Sequence, residues 1–171
     1  MTLHPCKPFV LVGMMGAGKT TIGKRLADRW GCPFIDSDER ICEETHKTIA
    51  QLFDEQGEGH FRTIEARVIL ALLADEQPPY VLAVGGGAFM TGQVRDRLLQ
   101  DTYTVWLDVP LTVLQTRLAK SKAERPLHDD LETLYHARQG TYQKAHHRID
   151  VGTMTSQRII DTIIHTAETY A

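Results

Sequence analysis

Phe9-Val10-Leu11-Val12-Gly13-Met14-Met15-Gly16-Ala17-Gly18-Lys19-Thr20 is the stretch that decides how this chain folds. Four apolar residues run straight into G-x-x-x-x-G-K-T, and Ile22, Leu26 and Trp30 follow at helical spacing. Strand, Gly-rich loop and helix in that order are the context a P-loop requires. Glycines let backbone N–H groups approach phosphate oxygens closely. The helix that follows adds its free N–H groups and the positive end of its dipole. Gly13, Met14, Met15, Gly16, Ala17, Gly18, Lys19, Thr20 and Thr21 are therefore expected to bind a nucleoside triphosphate. Lys19 supplies a cation for the β- and γ-phosphates, and the Thr20 hydroxyl can ligate one Mg²⁺.

Outward from this loop, the chain alternates apolar strands with amphipathic helices. Pro33-Phe34-Ile35 reads as a second strand, Tyr80–Val84 as a third, Thr104–Leu107 as a fourth and His147–Val151 as a fifth. Between the second and third, residues 39–56 read as two short helices. Gly57 and Gly59 break the pattern, and a longer helix follows with Phe61, Ile64, Val68 and Leu72 on one face. Helices are also expected at 92–99, around Leu111, Leu114 and Leu118, over 131–145, and on the stripe Ile159, Ile160, Ile163, Ile164 and Ala167. This order predicts an α/β fold, three layers with a five-stranded parallel sheet covered by helices on both faces. The length of 171 residues suits a single domain, 1–171, with insertions about 38–73 and 119–130. The second insertion, polar around Arg125-Pro126, reads as a mobile surface loop.

Composition narrows the function classes. Hydrophobic residues make up 42% and charged residues 24%, ordinary for a globular protein. The formal net charge of −3 provides no basic field to attract nucleic acid. No apolar run approaches a membrane span. Cys6, Cys32 and Cys42 form no C-x-x-C pair, and no secretion signal is evident, which points to a reducing cytoplasm. The histidines form no metal-binding pattern.

Each of the first three strands is followed by unusual residues: the P-loop, then Asp36-Ser37-Asp38, then Gly85-Gly86-Gly87. In a parallel sheet these gather at one edge, where ligands bind. Asp36 and Asp38, alternate residues of an extended segment, point the same way. One can hold Mg²⁺ or its waters while the other orients or deprotonates an acceptor hydroxyl. An Asp capping the next helix is the plainer alternative. Arg62 and Glu65, at i and i+3, form either a surface pair or a fork held for an anionic substrate. The glycine triplet offers either a backbone nest or a tight turn. Arg117, Arg125 and Arg138 bracket the polar loop, where an arginine can meet charge on a transferring phosphoryl group.

This ordered set resembles the shikimate kinases, within the nucleoside-monophosphate-kinase type of P-loop fold with a lid. The pieces that carry the resemblance are 13–20, Asp-Ser-Asp at 36–38, Phe-Arg-x-x-Glu at 61–65, the triplet at 85–87, Arg-Pro-Leu at 125–127, and Arg138 followed by Tyr142. His128 departs from it, since family lids commonly continue with an apolar residue. The resemblance implies ATP as co-substrate with one Mg²⁺ per subunit, held by Thr20 and, through water, by Asp36. It implies that Asp38 is the base and binds shikimate hydroxyls, and that Arg62 and Arg138 clamp the shikimate carboxylate with Glu65 in support. It implies that Gly85, Gly86 and Gly87 line the substrate ring, that Arg117 binds nucleotide, and that Lys19 and the lid residue Arg125 act in catalysis. The implied reaction forms shikimate 3-phosphate, a step of aromatic amino-acid biosynthesis, in a cytoplasmic monomer without nucleic-acid or membrane partners. A gluconate-type sugar-acid kinase and a slowly hydrolysing nucleotide switch are the alternatives. The switch has no need of a second-substrate clamp.

Overall fold

The computed structural model describes residues 7–75, 79–120 and 131–170. Within these residues five strands form one sheet: β1 (Phe9–Val12), β2 (Phe34–Asp36), β3 (Val81–Ala83), β4 (Tyr103–Asp108) and β5 (His147–Asp150). Their order is β2-β3-β1-β4-β5, and every pair is parallel. β1 is wholly buried at the centre, which explains its unbroken apolar run.

Among the described residues seven α-helices accompany the sheet: α1 (Lys19–Trp30), α2 (Ser37–Thr45), α3 (Ile49–Asp75), α4 (Gly92–Asp101), α5 (Leu111–Lys120), α6 (Leu131–Tyr142) and α7 (Ser156–Tyr170). A short 3₁₀ turn, Ala88–Met90, follows the glycine triplet. The β1–α1–β2 and β3–α4–β4 crossovers run in opposite directions across the sheet. With right-handed connections that places α1 and α4 on opposite faces, giving three layers. α1 buries Ile22, Leu26 and Trp30, as its spacing predicts, and Gly31 closes it in the left-handed conformation.

The 39–75 region breaks at Gly57, where the sequence reading places a break. Residues 49–56 and the longer helix are two helical segments of α3 that meet there at a kink, and the φ of 79° and ψ of 168° suit glycine alone. Gly59 stays helical. The inward stripe of α3 carries Phe61, Glu65, Val68, Ile69 and Leu72, while Ile64 is only partly buried. Residues 119 and 120 belong to α5. The rest of the expected lid, with Arg125 and His128, lies outside the described residues, as does Cys6.

Register sets the site. Ala83 at the end of β3 pairs with Leu11 of β1 and with Asp36 of β2. The loops leaving these three strands therefore start at one level, and the chain reverses its direction of travel across the sheet there. That is the switch point at which open α/β sheets bind ligands.

Candidate active site

The P-loop leaves β1 at Gly13 and ends at Gly18, the N-cap of α1. Gly13, Gly16 and Gly18 have φ of 144°, 79° and 92°, conformations that side chains rarely tolerate. Lys19 Nζ donates to the carbonyls of Gly13 at 2.8 Å and Met14 at 2.9 Å, which holds the ammonium across the loop. Arg117 reaches from α5 to donate to the carbonyls of Gly16 at 3.1 Å and Ala17 at 3.4 Å. A cleft of about 470 Å³ opens here, lined by Met15–Ile22, Asp36, Asp38, Ala83–Gly86, Arg117, Met154, Ser156 and Ile159.

Asp36 caps the next helix, as the plainer reading has it, and also meets Thr20. Its Oδ1 caps α2 by accepting from the Asp38 N–H at 2.9 Å, and its Oδ2 accepts from the Thr20 hydroxyl at 2.7 Å. The segment is thus not extended through Asp38, which stands instead in the first turn of α2. Asp38 still faces the glycine triplet: a Cβ built on Gly85 would lie 2.9 Å from its Oδ1 and 2.6 Å from Glu65 Oε1. The Thr20–Asp36 pair offers only oxygen donors, the set a hard cation such as Mg²⁺ prefers.

The Arg62–Glu65 pair is no surface ion pair. Nη1 of Arg62 donates to Glu65 Oε2 at 2.7 Å, and the Glu65 side chain is only 2% exposed. Glu58 accepts from the other guanidinium nitrogen at 3.2 Å. Burial raises the Glu65 carboxyl above its usual range; Arg62 opposes that and Asp38 adds to it. Burial would lower Arg62, but the charge and hydrogen bond of Glu65, with Glu58, hold it above the ordinary guanidinium value.

Arg138 arrives from α6 and is buried. A Cβ on Gly86 would lie 3.5 Å from its Nη1, and one on Gly87 would lie 2.3 Å from Arg62 Nη2. Two guanidinium groups from distant parts of the chain thus flank consecutive glycines, in reach of Asp38 and Glu65. Nη1 of Arg138 and Oε1 of Glu65 are buried without a hydrogen-bond partner among the described residues. Buried polar atoms left unpaired are costly, so one free acceptor beside one free donor suits an anionic ligand with hydroxyl groups.

The structure also adds residues that the sequence left without a role. Met154, Ser156 and Ile159 line the cleft on the side of Arg117 and the P-loop. The two that fall on α7 lie on or beside a core stripe, and nothing in their spacing marks them. Ser37 accepts a hydrogen bond from Gly85 N at 3.1 Å. Tyr142 donates its hydroxyl to the Gly86 carbonyl.

A phosphate-wrapping loop beside a separate, arginine-lined acceptor site defines a P-loop kinase that phosphorylates a small anionic molecule. The shikimate kinase family model matches residues 15–168. A shikimate kinase of Zymomonas mobilis subsp. mobilis is 40% identical over 174 residues, covering 96% of this chain and 97% of that one. The shikimate kinase of Acinetobacter baumannii, solved in complex with shikimate, superimposes with a TM-score of 0.90 at 33% identity, over 98% of this chain and 96% of that one. A gluconokinase of Sinorhizobium meliloti has a TM-score of 0.63 at 18% identity, over 99% of this chain and 95% of that one, a likeness of fold alone. The chain belongs to the shikimate kinase family, phosphotransferases with ATP as co-substrate.

Proposed function

We propose that this chain transfers the γ-phosphoryl group of ATP to the 3-hydroxyl of shikimate, supplying shikimate 3-phosphate to aromatic amino-acid biosynthesis. The observation that carries the reading is the pair of guanidinium groups converging on Gly86 and Gly87 beside Asp38. A carboxylate bound there by Arg62 and Arg138 would present the ring hydroxyls to Asp38. Asp38 orients the 3-hydroxyl and takes its proton as the oxygen attacks phosphorus in line with the departing ADP. The P-loop N–H groups and Lys19 neutralise the β- and γ-phosphate oxygens. Arg117 and the Met154–Ile159 side of the cleft fit the nucleoside part. Thr20 and Asp36 would hold Mg²⁺, which supplies further neutralisation of phosphate charge when bound.

Among the described residues no helix is long and apolar enough to cross a membrane. The net charge of −3 suits an enzyme of small metabolites rather than of nucleic acid. We take the working form to be a cytoplasmic monomer. The test is ADP release in the presence of ATP and Mg²⁺ with shikimate, with gluconate and with no acceptor. Release dependent on shikimate alone is expected. Equal or greater release with gluconate overturns the substrate, and release independent of any acceptor favours a switch.

A further inference from the structure

The Gly85–Gly87 turn has no side chains of its own to fix which way its peptide groups face. A Gly–Gly peptide turns over at little steric cost. Two side chains outside the acceptor-contacting set hold it from opposite ends. Ser37, wholly buried, accepts from Gly85 N–H at 3.1 Å. Tyr142, also wholly buried, donates its hydroxyl to the Gly86 carbonyl. The phenol ring is itself fixed, stacked on Phe89 at 6.4 Å and 14° and on Trp106 at 5.8 Å and 22°. Arg138 acts on the same hydroxyl through its charge and a side-chain hydrogen bond, yet burial prevails and pushes the ionisation up to about 12, so the hydroxyl stays a donor at neutral pH. The same oxygen lies 3.9 Å from Met14 Sδ, so one side chain touches both the phosphate loop and the acceptor turn.

We propose that Ser37 and Tyr142 are positioning residues for the acceptor, which lock the Gly85–Gly87 turn in the one orientation that accommodates it between Arg62 and Arg138. This rests on the acceptor placement argued above. In a planar trans peptide the N–H opposes the carbonyl. With the Gly86 carbonyl turned to Tyr142, the Gly87 N–H is held facing away from it. Loss of either lock lets the turn sample other orientations, and the acceptor must then select the competent fraction.

The experiment uses Tyr142→Phe, which keeps the stacked ring, and Ser37→Ala, with KM for shikimate, KM for ATP and kcat measured separately. Each variant should raise KM for shikimate by roughly 3- to 10-fold, the range for one neutral hydrogen bond. KM for ATP should stay within about twofold, because the P-loop keeps its own contacts. The rise in Tm on adding shikimate should shrink in each variant, while the rise on adding ATP is retained. A folded Tyr142→Phe or a folded Ser37→Ala with wild-type KM for shikimate overturns the proposal, as does equal weakening of both substrates; Ser37→Ala isolates the turn, because Tyr142→Phe also removes a hydrogen bond to Arg138. If Tyr142→Phe does not fold, Ser37→Ala carries the same test. Failure of both to fold also overturns it, since both would then be core residues first. Arg138→Ala is the reference: if it loses shikimate while Tyr142→Phe does not, only the lock is wrong. If Arg138→Ala also binds normally, the acceptor placement itself fails.

Discussion

Gly87→Ala isolates the acceptor site with a single methyl group. Gly87 has φ of −95° and ψ of −12°, right-handed backbone that alanine adopts without strain. Restricting the unfolded chain should even add about 0.4–1 kcal/mol of stability at such a site. The methyl carbon, however, would lie 2.3 Å from Arg62 Nη2 and 2.5 Å from its Cζ. Non-bonded heavy atoms settle at about 3.5 Å, so the guanidinium must retreat by roughly 1 Å. A long arginine side chain can do so, and the fold loses little. The retreat costs the carboxylate one charged hydrogen bond, about 1.5–3 kcal/mol. Shikimate binding should therefore weaken by roughly 10- to 150-fold. ATP binding should be unaffected, since Gly87 is not among the residues lining the P-loop cleft. Calorimetric titration with each ligand, beside urea unfolding of both proteins, measures all three quantities. Wild-type shikimate affinity in the variant would refute the placement of Arg62. Stability and shikimate affinity falling together would show that the turn had collapsed instead.

Three further outcomes are expected. Lys19→Ala removes the cation tied to the Gly13 and Met14 carbonyls and should nearly abolish turnover in a folded protein; normal kinetics would contradict the phosphate site. Asp38→Asn should lower kcat by at least about 10²-fold, whereas Asp36→Asn should chiefly raise the Mg²⁺ requirement; rescue of both by excess Mg²⁺ would erase the division of roles. Glu65 has a folded ionisation raised by burial, with Arg62 opposing. Its stability contribution is thus fully present below the unfolded value of 4.5 and lost as pH rises through the folded one. Relative to Glu65→Gln, wild-type stability should fall as pH climbs above that value. Shikimate affinity should rise over the same window, because the ionised carboxylate holds Arg62. A pH-independent difference in urea midpoints between the two proteins would disprove the linkage.

The parts of this protein legible in its sequence are those written locally. Phe9–Val12 is a central strand because a strand buried on both faces is apolar throughout, and the P-loop announces itself by glycines that its backbone angles require. What local pattern could not supply is contact across the sheet. Ser37 meets Gly85 because the parallel register of β2 and β3 brings their ends level, and Tyr142 meets Gly86 because α6 packs against the 3₁₀ turn that follows the triplet. Asp36 was open between cap and metal partner, and the fold uses its two oxygens for the cap and for Thr20. The bend of α3 falls at Gly57 and spares Gly59, because only Gly57 takes the backbone angles helices exclude.

Glu65 is the instructive case, since the sequence carries a signal for it. A stripe drawn through Ile64 omits it, but Phe61 plus four and Val68 minus three both fall on Glu65. A carboxylate on an apolar stripe is bound to be buried, and buried carboxylates need partners. Arg62, one turn away, satisfies Oε2, while Oε1 is left without a partner among the described residues. A merely structural ion pair would close on itself. This one presents a spare acceptor oxygen, beside Asp38 and two guanidinium groups, to the turn where a polyhydroxylated acid would lie. The charge misplaced by helical periodicity is therefore best explained by the ligand rather than by the fold.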